Sequence, residues 1–317
     1  MAVYTHISHD DVTQLLARYD VGTLISCEGI VTGVENSNYL ITTDQNKFIL
    51  TIFEKRVDPR DLPFFFAFMN HLAKQKIDVP QALADEQGDI IQTIHDKKCV
   101  LISFLHGAGV TPAIITPDLC AQMGELSARL HVGAITFDSS RPNTMGLNAW
   151  KNLYQKMKHR LHEIDIDAES IVRGQLLEFE NTSSLNLPRA VVHADLFPDN
   201  IFIDDRKLSG VIDFYFSCND YLGYDLALTM NAWCFDGHGE CDHDRLVNFI
   251  SAYELIRPMS PEEKRFMNLF FRMAALRIFM TRAHDWLFHD DAALVKPKDP
   301  REYLRILNYH RDHTVLG

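Results

Sequence analysis

One stretch, residues 191–214, constrains the fold more than any other part of the chain. Its sequence is VVHADLFPDNIFIDDRKLSGVIDF, in which short apolar runs alternate with polar turns. The runs predict a strand at 190–192, a second strand at 201–203 and a third strand that ends at Asp213. A hairpin of this kind leads the third strand back toward the polar loop at 193–200.

Three oxygen-bearing side chains, those of Asp195, Asn200 and Asp213, are expected to converge where the hairpin returns. Phosphoryl transfer needs such a set: one carboxylate accepts the proton of the attacking hydroxyl, while an amide and a second carboxylate hold Mg²⁺ on the nucleotide phosphates. Two protein ligands are enough because Mg²⁺ prefers oxygen and keeps several waters. We predict that Asp195 is the base, that Asn200 and Asp213 are the metal ligands, and that His193 fixes the loop.

Turn formation offers a simpler explanation for each of these residues taken singly, since Asp, Asn and Pro are common in turns. The ordered set is harder to explain in that way. His-Ala-Asp, then Asn200, then Ile-Asp-Phe follow one another at strand spacing. The joint pattern therefore indicates phosphoryl transfer.

The segments HADLFPDN and VIDF resemble the catalytic and metal-binding segments of the aminoglycoside phosphotransferase and choline kinase superfamily, which shares the protein-kinase fold. Three further segments, GVENSNYL, FILTIFEKR and NAWCFDGHG, are similar to the bacterial homoserine kinases of that superfamily. The resemblance spans nearly the whole chain. It implies an α+β, two-lobed protein-kinase-like fold, with a small antiparallel β-sheet lobe and a larger, mostly helical lobe that carries the catalytic hairpin.

The resemblance also implies an organisation and an activity. Residues 1–105 would form the nucleotide-covering lobe, and residues 106–317 the catalytic and substrate lobe. ATP and Mg²⁺ would be the cofactors, and the hydroxyl of homoserine the phosphate acceptor, which places the enzyme in threonine biosynthesis. Choline, methylthioribose or an aminoglycoside are alternative acceptors, and a nucleotide-binding protein without transferase activity is the alternative from another class.

The nucleotide contacts follow from the resemblance to the small lobe. Predicted strands at 24–33 and 38–43 flank a loop that has neither a GxGxxG nor a P-loop pattern, so a plain hairpin turn is the alternative. Two further strands, at 90–94 and 99–104, lead into a turn where the family has its hinge. The candidate nucleotide-binding residues are Asn36, Ser37 and Asn38 in the loop and Ser103 and Leu105 at the hinge.

A strand predicted at 47–53, the third strand of the small lobe, departs from the family plan. Kinase-fold enzymes usually carry a lysine there that pairs with the phosphates and with a helix glutamate, but this chain has Thr51 in that place. Lys55 lies two alternations further along the same strand face, and Lys47 and Arg56 are the other candidates. Since the helix predicted at 64–75 has no carboxylate, we expect the usual Lys-Glu pair to be absent.

The substrate residues are predicted from a long helix that begins with the capping box at Ser260. Arg277, Arg282 and Asp285 interrupt its apolar run and lie near one another around the helix. Arginine forms bidentate hydrogen bonds with a carboxylate, and an acid would meet an amino group. A salt-bridged helix face is the alternative.

The helix that begins near residue 223 carries three more candidates. In the family an aspartate at the place of Asp225 braces the catalytic loop, and a simple acidic residue in the first helical turn is the alternative. Asn231 and Trp233 stand on the expected substrate side, although a tryptophan is more often part of the core.

Composition excludes several other functions. A net charge of −12 argues against nucleic-acid binding, which needs a basic face. The longest apolar run, residues 62–69, is too short to span a membrane, and the first residues show no secretion signal, so we expect a cytoplasmic protein. The six cysteines form no CxxC pair. A cysteine and histidine cluster at 234–243 fits no common zinc spacing.

Overall fold

The computed structural model describes residues 4–30, 36–54, 57–180, 185–289 and 296–315. The chain divides into two compact units. Unit 1 comprises Met1–Gly107 and Ser209–Tyr215, and unit 2 comprises Ala108–Leu208 and Phe216–Gly317. A single boundary after residue 105 does not anticipate the return of Ser209–Tyr215 to unit 1.

Unit 1 is built on a five-stranded antiparallel sheet in the order β1-β2-β3-β5-β4. Its elements are α1 (His9–Leu16), β1 (Leu24–Ile30), β2 (Ser37–Thr43), β3 (Lys47–Ile52), α2 (Leu62–Lys74), β4 (Gln92–Ile94) and β5 (Lys97–Ser103). Burial alternates strictly along β2, as expected for a strand with a more buried and a less buried face. The five strands confirm the predicted antiparallel sheet.

The two faces of this sheet have different cores. Leu50 and Ile52 on β3 pack in one apolar cluster with Leu15 of α1. On the other side, the ring of Tyr215 meets the edges of Phe53 and Phe65 at centroid distances of 5.2 and 5.7 Å. The returning segment Ser209–Tyr215 is thereby anchored in unit 1 by aromatic contacts.

Asp213 lies in this anchored segment. Its φ of +66° is in the left-handed region, which non-glycine residues seldom adopt. The backbone N–H of Val211 donates to the carbonyl oxygen of Asp78 at 2.9 Å, and Phe214 packs against Phe68. Because the residues on both sides are held, the strained conformation of Asp213 is maintained by its surroundings.

Unit 2 is mostly helical. Its elements are β6 (Ala108–Gly109), α3 (Pro117–Ala134), α4 (Leu147–Met157), α5 (Ala168–Phe179), β7 (Arg189–Val192), β8 (Ile201–Asp204), β9 (Lys207–Val211), β10 (Cys218–Tyr221), α6 (Leu222–Trp233), α7 (His243–Ile256), α8 (Pro261–Leu287) and α9 (Arg301–Asp312). β7 pairs with β10, and β8 lies between β6 and β9. β9 carries the chain from unit 2 into unit 1.

Two helices of unit 2 begin with side-chain caps. Thr116 caps α3 by accepting a hydrogen bond from the N–H of Leu119, and Ser260 forms a reciprocal capping box with Glu263 at the start of α8. α3 also approaches α7 closely, because Gly124 faces the carbonyl oxygen of Phe249, where a Cβ atom would lie only 2.0 Å away. The sheet of unit 1 and the helices of unit 2 confirm the α+β class. Within the described ranges, no helix has the length and apolar character needed to cross a membrane.

Candidate active site

The loop between β7 and β8 is fixed at Ala194, the residue before Asp195. Ala194 has a left-handed backbone with φ of +64°. Its N–H donates to Asp225 Oδ1 at 2.6 Å, and its carbonyl oxygen accepts a hydrogen bond from Arg277 Nη1. A non-glycine residue in this conformation is strained, so the two buried partners hold the loop in a shape that it would not adopt alone.

Asp195 is held by hydrogen bonds to its backbone and its side chain. Its N–H donates to His193 Nδ1 at 3.2 Å, while Asn200 Nδ2 donates to its carbonyl oxygen at 2.9 Å and to Oδ2 at 3.1 Å. The side chain remains 20% exposed, and Oδ1 lies 3.8 Å from Arg277 Nη2. The carboxylate is therefore oriented and still reachable by a substrate.

His193 and Asn200 both form hydrogen bonds with Asp195. His193 is buried and its ring binds the backbone of the loop. The amide nitrogen of Asn200 is engaged with Asp195, which leaves its carbonyl oxygen as the atom suited to a cation. Asp213, the other predicted ligand, belongs to unit 1.

Asp225 braces the loop from α6. It is 1% exposed, and its second oxygen lies 3.0 Å from His131 Nε2, whose other ring nitrogen lies 2.8 Å from the hydroxyl of Tyr253. Trp233, near the end of the same helix, donates its indole N–H to the carbonyl oxygen of Leu196 at 2.8 Å. Two side chains of α6 therefore bind the catalytic loop directly.

Arg277 lies beneath the loop and is 3% exposed. Burial lowers the pKa of its guanidinium, but Tyr224 and Asp195 raise it by more, so the net pKa is above its ordinary value. The guanidinium carbon also lies 5.5 Å from the centre of the Phe216 ring. The guanidinium of Arg277 is thus surrounded by Ala194, Asp195 and Phe216.

The expected patch of Arg277, Arg282 and Asp285 does not form. Arg282 Nη1 donates to Glu302 of α9 at 2.8 Å, and its guanidinium stacks on the ring of Tyr303. Asp285 is 56% exposed and lies 3.5 Å from His284 Nδ1. Residues that are near in projection around α8 point to different neighbours, because several elements pack against this helix.

Asn231 is fully enclosed in unit 2. Its Nδ2 donates to the carbonyl oxygen of Phe271 at 3.0 Å, and its Oδ1 lies 2.8 Å from His310 Nε2. These bonds connect α6 with α8 and α9. The polar atoms of Asn231 and Trp233 are both engaged within the protein, so their contact with a substrate stays a prediction.

The predicted nucleotide loop is described from residue 36 onward. Its described side chains contact Thr51 on β3 and Glu54, two residues after β3. Asn36 Oδ1 accepts from the N–H of Glu54 at 3.3 Å, and Ser37 Oγ donates to Glu54 Oε1 at 2.7 Å. Asn38 Oδ1 accepts from Thr51 Oγ1 at 2.8 Å. The other candidates on this strand, Lys55 and Arg56, lie outside the described residues.

The two hinge candidates, Ser103 and Leu105, have different contacts within the protein. The N–H of Ser103 donates to the carbonyl oxygen of Gln81 at 2.9 Å, and its hydroxyl oxygen accepts from the N–H of Gln81 at 3.0 Å. Leu105 is partly buried and lies against Gly210, where a Cβ atom would come within 2.6 Å of it. Contact of either residue with adenine stays a prediction.

Unit 1 contains a lysine–glutamate pair that the sequence analysis missed. Lys97 on β5 binds Glu54 Oε2, and it donates to Thr5 Oγ1 at 2.6 Å. Burial raises the pKa of Glu54, but hydrogen bonds from Lys97, Ser37 and Thr5 lower it by more. Lys97 lies on β5 and Glu54 lies two residues after the end of β3. Because β3 and β5 are neighbouring strands, the pairing of these strands brings the two residues together.

A family model described as "Phosphotransferase enzyme family" matches residues 26–259. The chain belongs to this phosphotransferase family. Curated relatives include the homoserine kinases of Rhodospirillum rubrum and Azorhizobium caulinodans, each 42% identical over 311 residues, with 98% of this chain and 96% of each relative covered. These matches confirm the predicted superfamily.

Solved structures with the same fold include an amicoumacin kinase in complex with AMP-PNP and Ca²⁺, with a TM-score of 0.70 at 14% identity over 96% of this chain and 94% of that one. A choline kinase from Cryptosporidium parvum has a TM-score of 0.64 at 13% identity, with 90% of this chain and 88% of that chain covered. The protein-kinase-like fold predicted for the phosphotransferase is thereby confirmed.

The described part of the phosphotransferase contains no group of three or more His, Cys, Asp or Glu residues that is arranged to hold a metal ion. This covers the cysteine and histidine cluster at 234–243. Cys234 is buried, and burial together with neighbouring Cys120 raises the pKa of its thiol well above the ordinary value.

Proposed function

We propose that the phosphotransferase is a homoserine kinase, which transfers the γ-phosphate of ATP to the side-chain hydroxyl of homoserine in the threonine pathway of the cytoplasm. The names and near full-length coverage of its relatives support the substrate. The observation that carries the reaction class is the state of Asp195, whose backbone is held on several sides while its carboxylate remains partly exposed.

The reaction requires a positioned proton acceptor. A carboxylate oxygen of Asp195 accepts the hydroxyl proton of homoserine while the hydroxyl oxygen of homoserine bonds to the γ-phosphorus. The bond between the γ-phosphorus and the bridging oxygen breaks to release ADP. Asn200 holds Asp195 Oδ2, which orients the carboxylate. Orientation of this kind contributes to catalysis because the reacting groups need no further reorganisation.

Mg²⁺ fits the donor atoms that this chain offers. The carbonyl oxygen of Asn200 and the carboxylate of Asp213 are hard oxygen donors, and phosphates and water would complete the coordination. The ion, when bound, neutralises charge on the phosphates.

The remaining contacts with ATP and with homoserine are assigned to the residues that the sequence predicts. The phosphates are assigned to the loop of Asn36, Ser37 and Asn38 together with Lys55, and adenine to Ser103 and Leu105. Arg282 and Asp285 remain the candidates for the carboxylate and amino groups of the substrate. Arg277 is left out of this set because it is buried and donates to the carbonyl oxygen of Ala194.

The test is an ADP-release assay with ATP and Mg²⁺ against homoserine, choline, methylthioribose and an aminoglycoside. We expect turnover with homoserine alone. Asp195→Asn is expected to lower kcat by at least about 10²-fold with nucleotide binding retained, which is typical for loss of a general base. Asp204→Asn, an exposed change at the end of β8, is the matched control.

Other outcomes separate the alternatives. Turnover with a different alcohol would keep Asp195 as the base and discard homoserine. Nucleotide binding without turnover of any acceptor would favour the non-catalytic alternative, and an Asp195→Asn protein with full activity would contradict the mechanism.

A further inference from the structure

Arg277 is a buried cation whose partners differ from those of Arg272 and Arg282 on the same helix. Arg272 pairs with Glu178, and Arg282 pairs with Glu302, both of them carboxylates on neighbouring helices. Arg277 instead donates to the carbonyl oxygen of Ala194 and lies beside Asp195. Since a buried guanidinium is costly unless it is compensated, the catalytic loop itself compensates this charge.

The contact with Asp195 is electrostatic. Arg277 Nη2 lies 3.8 Å from Asp195 Oδ1, which is beyond hydrogen-bond length. The hydrogen bond goes to the Ala194 carbonyl. The guanidinium can therefore attract the carboxylate without occupying Oδ1 as a hydrogen-bond acceptor.

The peptide group that joins Ala194 to Asp195 is held from both of its ends. Arg277 binds its carbonyl oxygen, and His193 Nδ1 accepts from its N–H. The preceding N–H, that of Ala194, is bound by Asp225. Because Ala194 is left-handed, removal of the Arg277 contact would allow this peptide to rotate toward a more favourable conformation and turn the Asp195 side chain with it.

The burial of Arg277 also argues against direct contact between its side chain and the substrate. Its side chain is 4% exposed, whereas that of Asp195 is 20% exposed. A substrate carboxylate would have to displace the Ala194 carbonyl in order to reach the guanidinium. These contacts favour a role in support of the loop over the role of a carboxylate receptor.

We propose that Arg277 is a positioning residue for phosphoryl transfer, which sets the direction of the Asp195 carboxylate through the Ala194 carbonyl and through its own charge. The proposal rests on the proposed function, in that Asp195 is the base. It assigns Arg277 an effect on kcat and no direct contact with homoserine or ATP.

The experiment compares Arg277→Lys and Arg277→Met with Arg272→Met, a control on the same helix. For Arg277→Met we expect kcat to fall by about 10²-fold, the scale of a small misplacement of catalytic groups, while the KM values for homoserine and ATP stay within about threefold. Arg277→Lys keeps the charge and one donor, so a smaller loss of kcat is expected. Arg272→Met should leave kcat unchanged.

A second readout does not depend on the acceptor. Amide hydrogen exchange in a peptide covering 190–200 should be faster in Arg277→Lys than in the wild type and unchanged in Arg272→Met. Failure of the wild type to phosphorylate homoserine would defeat the proposed function alone, because the exchange experiment still tests the loop contact. If Arg277→Met does not fold, Arg277→Lys decides.

Two results would overturn the proposal. A rise in the KM for homoserine with kcat unchanged would make Arg277 a substrate carboxylate receptor. Unchanged kcat together with unchanged exchange at 190–200 in Arg277→Lys would reduce its role to packing within unit 2.

Discussion

The buried carboxylate of Asp225 accepts a hydrogen bond of 2.6 Å from the backbone N–H of Ala194, one residue before the proposed base. The second oxygen of Asp225 contacts His131 of α3, and His131 contacts Tyr253 of α7. A continuous set of buried polar contacts thus leads from two helices of unit 2 to the catalytic loop. Because buried polar groups depend strongly on their partners, changes at Asp225 should affect both stability and turnover.

We predict that Asp225→Ala lowers the free energy of unfolding by about 3 kcal/mol, since the change leaves the Ala194 N–H and His131 without their partner. The variant should also lose turnover because the loop is released. Asp225→Asn keeps an acceptor and should lose less. Thermal unfolding and the ADP-release assay measure both effects.

The control is Asp244→Ala, which removes an exposed acidic residue from the first turn of α7. An acid that only complements the helix dipole contributes about 0.3–1 kcal/mol. If Asp225→Ala were no more destabilising than Asp244→Ala, Asp225 would be an ordinary first-turn acid, as the sequence alone allows.

Thr51 and Asn38 face each other across β3 and β2, and the threonine hydroxyl donates to the amide oxygen at 2.8 Å. Thr51 stands where related kinases carry a lysine, and its hydroxyl here orients a residue of the predicted phosphate loop. We predict that Thr51→Val raises the KM for ATP about fivefold, because one buried hydrogen bond contributes about 1 kcal/mol. The KM for homoserine should not change.

Thr51→Ser is the matched variant, since it keeps the hydroxyl and should retain the wild-type KM for ATP. Steady-state kinetics with each substrate varied in turn distinguish the two changes. An equal effect of Thr51→Val on both KM values would show that the Thr51–Asn38 contact supports the unit as a whole and has no specific role in nucleotide binding.

The elements that were predicted correctly are those with local signals. Ser260 and Glu263 form the predicted capping box three residues apart. The strands on either side of Asp195 also lie where the apolar runs place them. In each of these cases the stabilising partners are close together in the sequence.

Helix α7 was not predicted, although its signals are present. Asp242 caps it, and Leu246, Phe249 and Tyr253 are its buried positions, at helical spacing. The loop with Gly237 and Gly239 comes directly before it. Because the cap and the periodicity are both local signals, the sequence contains the information that places this helix.

The partners of the arginines on α8 could not have been predicted from the helix pattern. The helical pattern correctly places Arg277 and Arg282 on one helix. Their hydrogen-bond partners are Ala194 and Glu302, which are 83 and 20 residues away in the sequence. Which neighbour a polar side chain meets depends on how the helices pack, and that information is not local.

His310 supplies a prediction about pH. Its ring stacks on Phe271 at a centroid distance of 4.6 Å, its Nε2 lies 2.8 Å from Asn231 Oδ1, and burial lowers its pKa to about 3. In the unfolded chain the pKa of a histidine is about 6.5. Between these values the unfolded state binds a proton that the folded state excludes, so the free energy of unfolding must fall as the pH falls through this window.

At pH 5 the loss from His310 should be about 2 kcal/mol relative to neutral pH, at about 1.4 kcal/mol for each pH unit below 6.5. His310→Gln removes the titrating ring and retains a polar group that can reach Asn231. We expect the variant to be less stable than the wild type at pH 7 but to lose about 2 kcal/mol less between pH 7 and pH 5. Urea unfolding of both proteins at the two pH values measures the difference, in which the other titrating groups cancel.

His313→Gln, at the exposed end of the same helix, is the control and should show the wild-type dependence of stability on pH. Parallel losses in the wild type and His310→Gln would mean that His310 takes up a proton in the folded protein without cost, and the link between its burial and acid stability would fail.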